Sequence, residues 1–262
     1  IDLGKHSYFY TSSLKNKNYR ITNYDYRKLN RNHRGRIQRY CISEACLQAD
    51  VIINIPKPKS HRKAGYTGAL KNMIGINTSK EFLPHHTKGA KFSGGDEYLE
   101  RDLFNYVIGR MHDLKDILNK KNVFCYDSII NQLCKMILNR RKCNYSEGSW
   151  WGNDTIWRTI LDINLIANYA NKRGKLSRCS QRQIITIGDM IWCGEGEGPL
   201  LPSPKQISGL LFCDNAVAFD LILIQLMGFD KEKIPLLVNA VKDRRLYKEE
   251  DIYINSNKEI FC

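Results

Sequence analysis

Apolar positions along this chain switch between two periods, and each switch marks the boundary of an element. Val51, Ile52, Ile53 and Ile55 form a short β-branched run closed by Pro56, the pattern of a central parallel strand. Ser43 to Ala49 reads as a short helix leading into it. Beyond a polar, glycine-containing stretch, Leu70, Met73 and Ile74 recur at helical spacing, with Thr67 placed to cap the helix start. Leu103, Val107, Met111 and Leu114 lay out one apolar helical face, and Ile129, Leu133 and Met136 another, which predicts two core-packing helices. A further helix is expected through Trp157, Ile160, Leu161 and Ile166 to about Asn171, capped by Asn153 or Asp154, with Gly174 as its stop. Two strands, Ile184 to Trp192 and Ile207 to Cys213, flank a glycine-rich turn at Gly194 to Pro199. A strongly apolar helix from Asn215 to Met227 and a short one from Lys233 to Val241 complete the pattern.

Helices alternating with strands predict an α/β layered fold with a largely parallel central sheet flanked by helices. No repeat or linker divides residues 1–262, so a single domain is expected. The most apolar segment, Ala216 to Gly228, is interrupted by Asp220 and Gln225 and falls short of the roughly 20 residues of a membrane span. Nine scattered cysteines without a C-x-x-C pair exclude zinc-ribbon and iron–sulfur cluster motifs, and their odd number suits reduced thiols in a cytoplasm.

Charge sharpens the picture at one place. From Lys57 to Lys91 there are eight lysines and arginines against the single acid Glu81, half of the net charge of +14. His61, His85 and His86, half of the histidines, share that window. Gly65 and Gly68 allow close backbone approach at a helix start whose free N–H groups favour an anion. Lys57, Lys59, Arg62, Lys63, Thr67, Gly68 and Asn72 are thus candidate contacts to a carboxylate or phosphate. His61 and Lys71 are the candidate catalytic groups, His61 as a base held neutral by neighbouring cations; the alternative is that His61 only caps a loop. His85, His86, Asp96, Glu195 and Glu197 are the candidate ligands of a divalent metal, although adjacent histidines diverge in a strand and fit packing roles equally. Asn153, Asp154 and Arg158 join the substrate-binding candidates because capping does not account for the whole Trp150 to Trp157 segment. That segment's tryptophans are either core or a stacking surface for a sugar or base.

Near the N-terminus a strand-like Ile21 to Tyr26 runs into Arg27, Lys28, Arg31, His33, Arg34, Arg36 and Arg39, close to Tyr8, Phe9 and Tyr10. Bases interleaved with aromatics raise nucleic acid as a partner. No recognised nucleic-acid motif accompanies them, so a solvated loop is the preferred reading and nucleic-acid binding a secondary alternative.

The segments Ala49 to Lys57, Lys59-Ser60-His61, Thr67 to Asn72 with Gly75, Leu83 to His86, Gly94 to Tyr98, Trp151 to Arg158, Gly194 to Pro199 and Met227 to Asp230 together resemble the signature of domain-of-unknown-function family 362. The likeness covers nearly the whole chain and implies a cytoplasmic α/β protein. It also implies family sequence upstream of Ile1, an N-terminal strand or two. A cluster domain carried by some members has no counterpart in these cysteines. The long form of the pattern resembles members encoded among surface-polysaccharide genes, which implies a sugar-linked or nucleotide-sugar substrate. A more distant likeness is to nickel-dependent lactate racemase, where His61 would match an acid/base, Lys71 a cofactor tether and His85 or His86 a nickel ligand. The turn Thr67-Gly68-Ala69-Leu70 departs from that enzyme, and its other catalytic histidine would fall before Ile1. The expected function is an enzyme that binds an anionic small molecule for proton or group transfer, its cofactor unspecified. The competing class is a non-catalytic anion-binding or redox-partner protein. Oligomeric state is not legible.

Overall fold

A computed structural model describes residues 1–13, 18–99, 103–120, 126–139, 147–251 and 255. The N-terminal part is a run of short elements: α1 (Tyr10–Ser13), β1 (Tyr19–Arg20), α2 (Tyr26–Asn32), β2 (His33–Arg34), β3 (Ile37–Gln38) and α3 (Glu44–Gln48). The strand expected at Ile21 to Tyr26 is thus displaced. Asp25 accepts from the backbone N–H of Arg27 and Lys28 and starts a helix there instead.

The central sheet follows. β4 (Val51–Asn54) and β5 (Lys59–His61) both run parallel to the long β8 (Gln183–Glu197) on one side of it, and β9 (Leu201–Cys213) pairs antiparallel on the other. β6 (Gly65–Thr67) turns back antiparallel on β5, and β7 (His86–Thr87) pairs with β1 in a separate ribbon. The α/β architecture is as the alternation predicts. The turn expected over Gly194 to Pro199 is confined to Gly198, Pro199 and Leu200, because Gly194 to Glu197 continue β8 in register with β9 up to Glu197 against Leu201. The alternating glycines and glutamates follow the period of two that a strand requires.

One face of the sheet is covered by α4 (Ala69–Asn72), α7 (Ile156–Tyr169) and α8 (Ala216–Leu226), with α9 (Pro235–Lys242) behind. Ile184, Thr186, Gly188 and Met190 of β8 point into this layer, and a Cβ at Gly188 would meet the Phe219 ring at 2.5 Å. α7 is buried nearly all round because it lies between two core clusters, one with α4, α8 and α9, the other with the N-terminal elements. Arg182 closes its C-terminal end, donating to the carbonyls of Ala167, Ala170, Leu47 and Ala49.

Two expectations about packing fail. β4 is not a central strand: its only ladder partner among the described residues is β8, and Val51, Ile53 and Ile55 are 50%, 61% and 60% exposed. A β-branched run specifies a strand but not its rank in the sheet. α5 (Leu103–Lys120) and α6 (Asp127–Asn139) form as helices, yet Leu103, Leu114, Ile129 and Met136 remain exposed while Ile108, Ile130 and Cys134 pair the two helices. Among the described residues no helix is long and apolar enough to cross a membrane. Cys125, Cys143 and Cys262 lie outside the described residues; Cys41, Cys46, Cys134, Cys179, Cys193 and Cys213 are free thiols.

Candidate functional site

The helix start that the sequence offers to an anion already holds one. Asp220 of α8 accepts from the N–H of Ala69 at 2.6 Å and of Leu70 at 3.1 Å, and from Tyr66 Oη at 2.7 Å. Gly68, not Thr67, is the N-cap residue, and the carboxylate supplies the cap that its backbone lacks. A Cβ at Gly68 would sit 2.2 Å from Asp220 Oδ1, so the close approach foreseen here serves an internal partner. Thr67 Oγ1 is buried without a hydrogen-bond partner among the described residues. Burial raises the Asp220 carboxyl to about 7, against its three hydrogen bonds. The signal was an acid inside the most apolar helix of the chain. Asn72 is likewise spent, clipping Asn54, which in turn donates to Ala69 O.

The basic cluster divides into two populations. Lys57 pairs with Asp189 at 2.8 Å and Arg62 with Glu197, both on the surface. Lys59, Lys63 and Lys71 have no ion-pair partner among the described residues, and all three are partly buried. All three act electrostatically on His61, Lys63 and Lys71 act on His85, and Lys59 and Lys63 act on Lys71. Burial first, then Lys59, Lys80 and Lys63, lower the Lys71 amine to about 8. Burial also lowers Lys63, opposed by Glu147, Asp96 and Glu97. His61 falls to about 2 through burial, Lys71, Lys63, His85 and Lys59, and His85 to about 3 through burial and Lys63. Both imidazoles are therefore neutral at physiological pH, as the sequence predicts for His61.

Their tautomers differ. His61 Nδ1 accepts from the backbone N–H of Lys63 at 3.1 Å and Ala64 at 3.2 Å, so its proton resides on Nε2. His85 Nδ1 lies 2.8 Å from Leu83 O, which can only accept, so its lone pair is on Nε2. This corrects the expectation of His61 as a base: its loop-binding nitrogen is occupied and its other nitrogen is a donor. The lone pair belongs to His85. Asn153 stands behind His85, donating to its carbonyl at 2.9 Å while Oδ1 caps α7 through the N–H of Thr155 and Ile156.

The remaining candidates are structural. Asp154 and Arg158 bind each other at 3.0 Å, Asp154 accepts from Trp157 Nε1, and Arg158 donates to Tyr8 O. Asp96 accepts from Thr87 N, Asp154 N and Thr155 Oγ1, fastening three loops. Glu195 pairs with Lys205 at 2.9 Å. Among the described residues no three His, Cys, Asp or Glu side chains converge as metal ligands, so His85, His86, Asp96, Glu195 and Glu197 do not form the expected centre. The physical reason is distribution: Glu195 and Glu197 end an exposed strand, whereas His86 is buried beside β1. Trp150 is core and donates to Asp96 O, whereas Trp151 is 70% exposed.

A family model described as "Domain of unknown function (DUF362)" matches residues 8–225. No curated protein matches the chain, and neither does any solved structure.

Proposed function

The chain belongs to the DUF362 family, whose description assigns no reaction, and on that premise we propose from the site itself that it binds an anionic small molecule between Lys59, Lys63, Lys71, His61 and His85. The observation that carries this reading is a set of three half-buried lysines with no ion-pair partner among the described residues. Burial penalises the charge of Lys63 and Lys71; Lys59, Lys80 and Lys63 add repulsion at Lys71; and a bound anion relieves both through charge-assisted hydrogen bonds. His61 contributes Nε2–H as a neutral donor.

The chemistry that follows is proton or group transfer. Lys71, lowered to about 8, keeps a fraction of free amine near neutrality, and His85 Nε2 offers a second acceptor. Trp151 projects from the loop whose Asn153 holds His85, which supports a sugar phosphate or nucleotide sugar as the ligand class. A binding role without turnover also has support: burial has lowered His85 to about 3, which makes it a weak base.

Thermal shift with phosphate, pyruvate and a nucleotide sugar tests the reading. At ~100 times its dissociation constant an anion adds about 2.7 kcal/mol of stability. The shift is expected in the parent protein and in Lys57→Gln, and is expected to vanish in Lys63→Gln/Lys71→Gln. Ligand-free Lys71→Gln alone should melt higher than the parent, because a buried charge repelled by Lys59, Lys80 and Lys63 has been removed. A shift that persists in the double variant, or none with any anion, would overturn the assignment.

A further inference from the structure

We propose that the cavity between the β8–β9 hairpin and the C-terminal end of α8 is a second ligand site, for an uncharged and mainly apolar small molecule. The cavity has a volume of about 280 Å³. A single water needs only about 10–15 Å³ of such space, so the cavity has room for a small organic molecule. Pro58, Met190, Ile207, Leu223, Met227 and Phe229 give it an apolar lining. Met190 and Leu223 reach it from the buried core, while Ile207 and Phe229 are 43% and 40% exposed at the mouth.

The polar groups at this site decide the class of ligand. Glu195 and Lys205 face each other across β8 and β9 at 2.9 Å, so the charge they bring to the rim cancels. Ser60 Oγ is committed to Gly196 O at 2.8 Å. Lys205 is the one cation among the lining residues and it is paired, in contrast to the lysine cluster. The spare valences of the ion pair suit a hydroxyl or amide head, with the apolar body inside. β5 and the Pro58 before it supply both sites, since Lys59 and His61 alternate with Pro58 and Ser60 along the chain. The walls are fixed: a Cβ on Gly194 would meet Pro202 at 2.8 Å and Lys59 Cβ at 2.9 Å, so hairpin and β5 are in tight contact. The two methionines adapt to ligands of different outline.

Cys193, a free thiol in the wall, reports occupancy. The probe is N-phenyl-1-naphthylamine, neutral and fluorescent in apolar surroundings, titrated into the parent protein and into Ile207→Trp, Leu226→Trp and Phe212→Ser. The first two fill the mouth; the third alters the opposite, outer sheet face. Saturable binding is expected, reduced at least tenfold in Ile207→Trp and Leu226→Trp and unchanged in Phe212→Ser. Alkylation of Cys193 by N-ethylmaleimide, read by peptide mass spectrometry, should slow at least fivefold in the saturated parent while the exposed Cys179 reacts as before. Unprotected Cys193, or affinity lost only in Phe212→Ser, would overturn the proposal. Both readouts use no anion, so failure of the lysine site leaves them intact.

Discussion

Replacing Asp220 by alanine is expected to lower the unfolding free energy by about 3–5 kcal/mol, the loss typical when one member of a buried polar network is removed. The Tyr66 hydroxyl and the N–H groups of Ala69 and Leu70 all end on this carboxyl, and none can reach water because Tyr66, Ala69, Leu70 and Asp220 are essentially unexposed. Each orphaned donor costs about 1–3 kcal/mol. Asp220→Asn retains one acceptor oxygen and should cost about half as much. Gly68→Ala attacks the same contact from the other side, because its Cβ overlaps Oδ1. Urea titration at constant slope measures all three. An Asp220→Ala midpoint within 1 kcal/mol of the parent would mean that the cap at α4 is not organised by this residue.

Acidification is expected to produce the second large effect. His33 is lowered to about 4 by burial, His85 to about 3 and His61 to about 2, and His86 is also lowered, against an ordinary value of 6.5. Below pH 6.5 the unfolded chain takes up protons at these sites that the folded protein refuses, so stability falls as pH falls. Asp162 and Asp220 act in the opposite sense. Burial raises both to about 7, so from pH 7 towards 4 the folded state takes up protons first and gains stability. Burial also raises the Asp96 and Glu97 carboxyls, which subtract further from the loss, so four histidines against four carboxyls leave a net loss of at most about 1–3 kcal/mol per pH unit between about 6 and 4. On the alkaline side, Lys71 at about 8 against 10.5 when unfolded makes stability rise between those values. Denaturation midpoints from pH 4.5 to 10 trace the profile; a midpoint that climbs from pH 6 to 4.5 would contradict the buried, neutral imidazoles.

Helices α7 and α8 were legible to within a residue or two because apolar period and capping asparagines are local properties of Asn153 and Asn215. The position of β4 was not, since strand order depends on pairing with Gln183 to Thr186, more than 130 residues away. The same distance hid the division of the cationic cluster. Nothing near Lys57 or Arg62 announces Asp189 or Glu197, whereas Lys63 and Lys71 stand apart only once those partners are placed. Grouping His61 with Lys71 was within reach of the sequence, because β5, β6 and α4 follow one another with little intervening chain. The tautomer of His61 was not, because it depends on two backbone N–H groups in a turn.

The side of the sheet that the described residues leave exposed is apolar. Val51, Ile53 and Ile55 of the β4 region stand beside Ile191 of β8 and Leu210 and Phe212 of β9, and all are at least half exposed. Sulfate salts strengthen apolar association. The chain should therefore cling to a phenyl column at low ammonium sulfate and salt out early, so purification and crystallisation trials are best begun in dilute, chloride-based buffers.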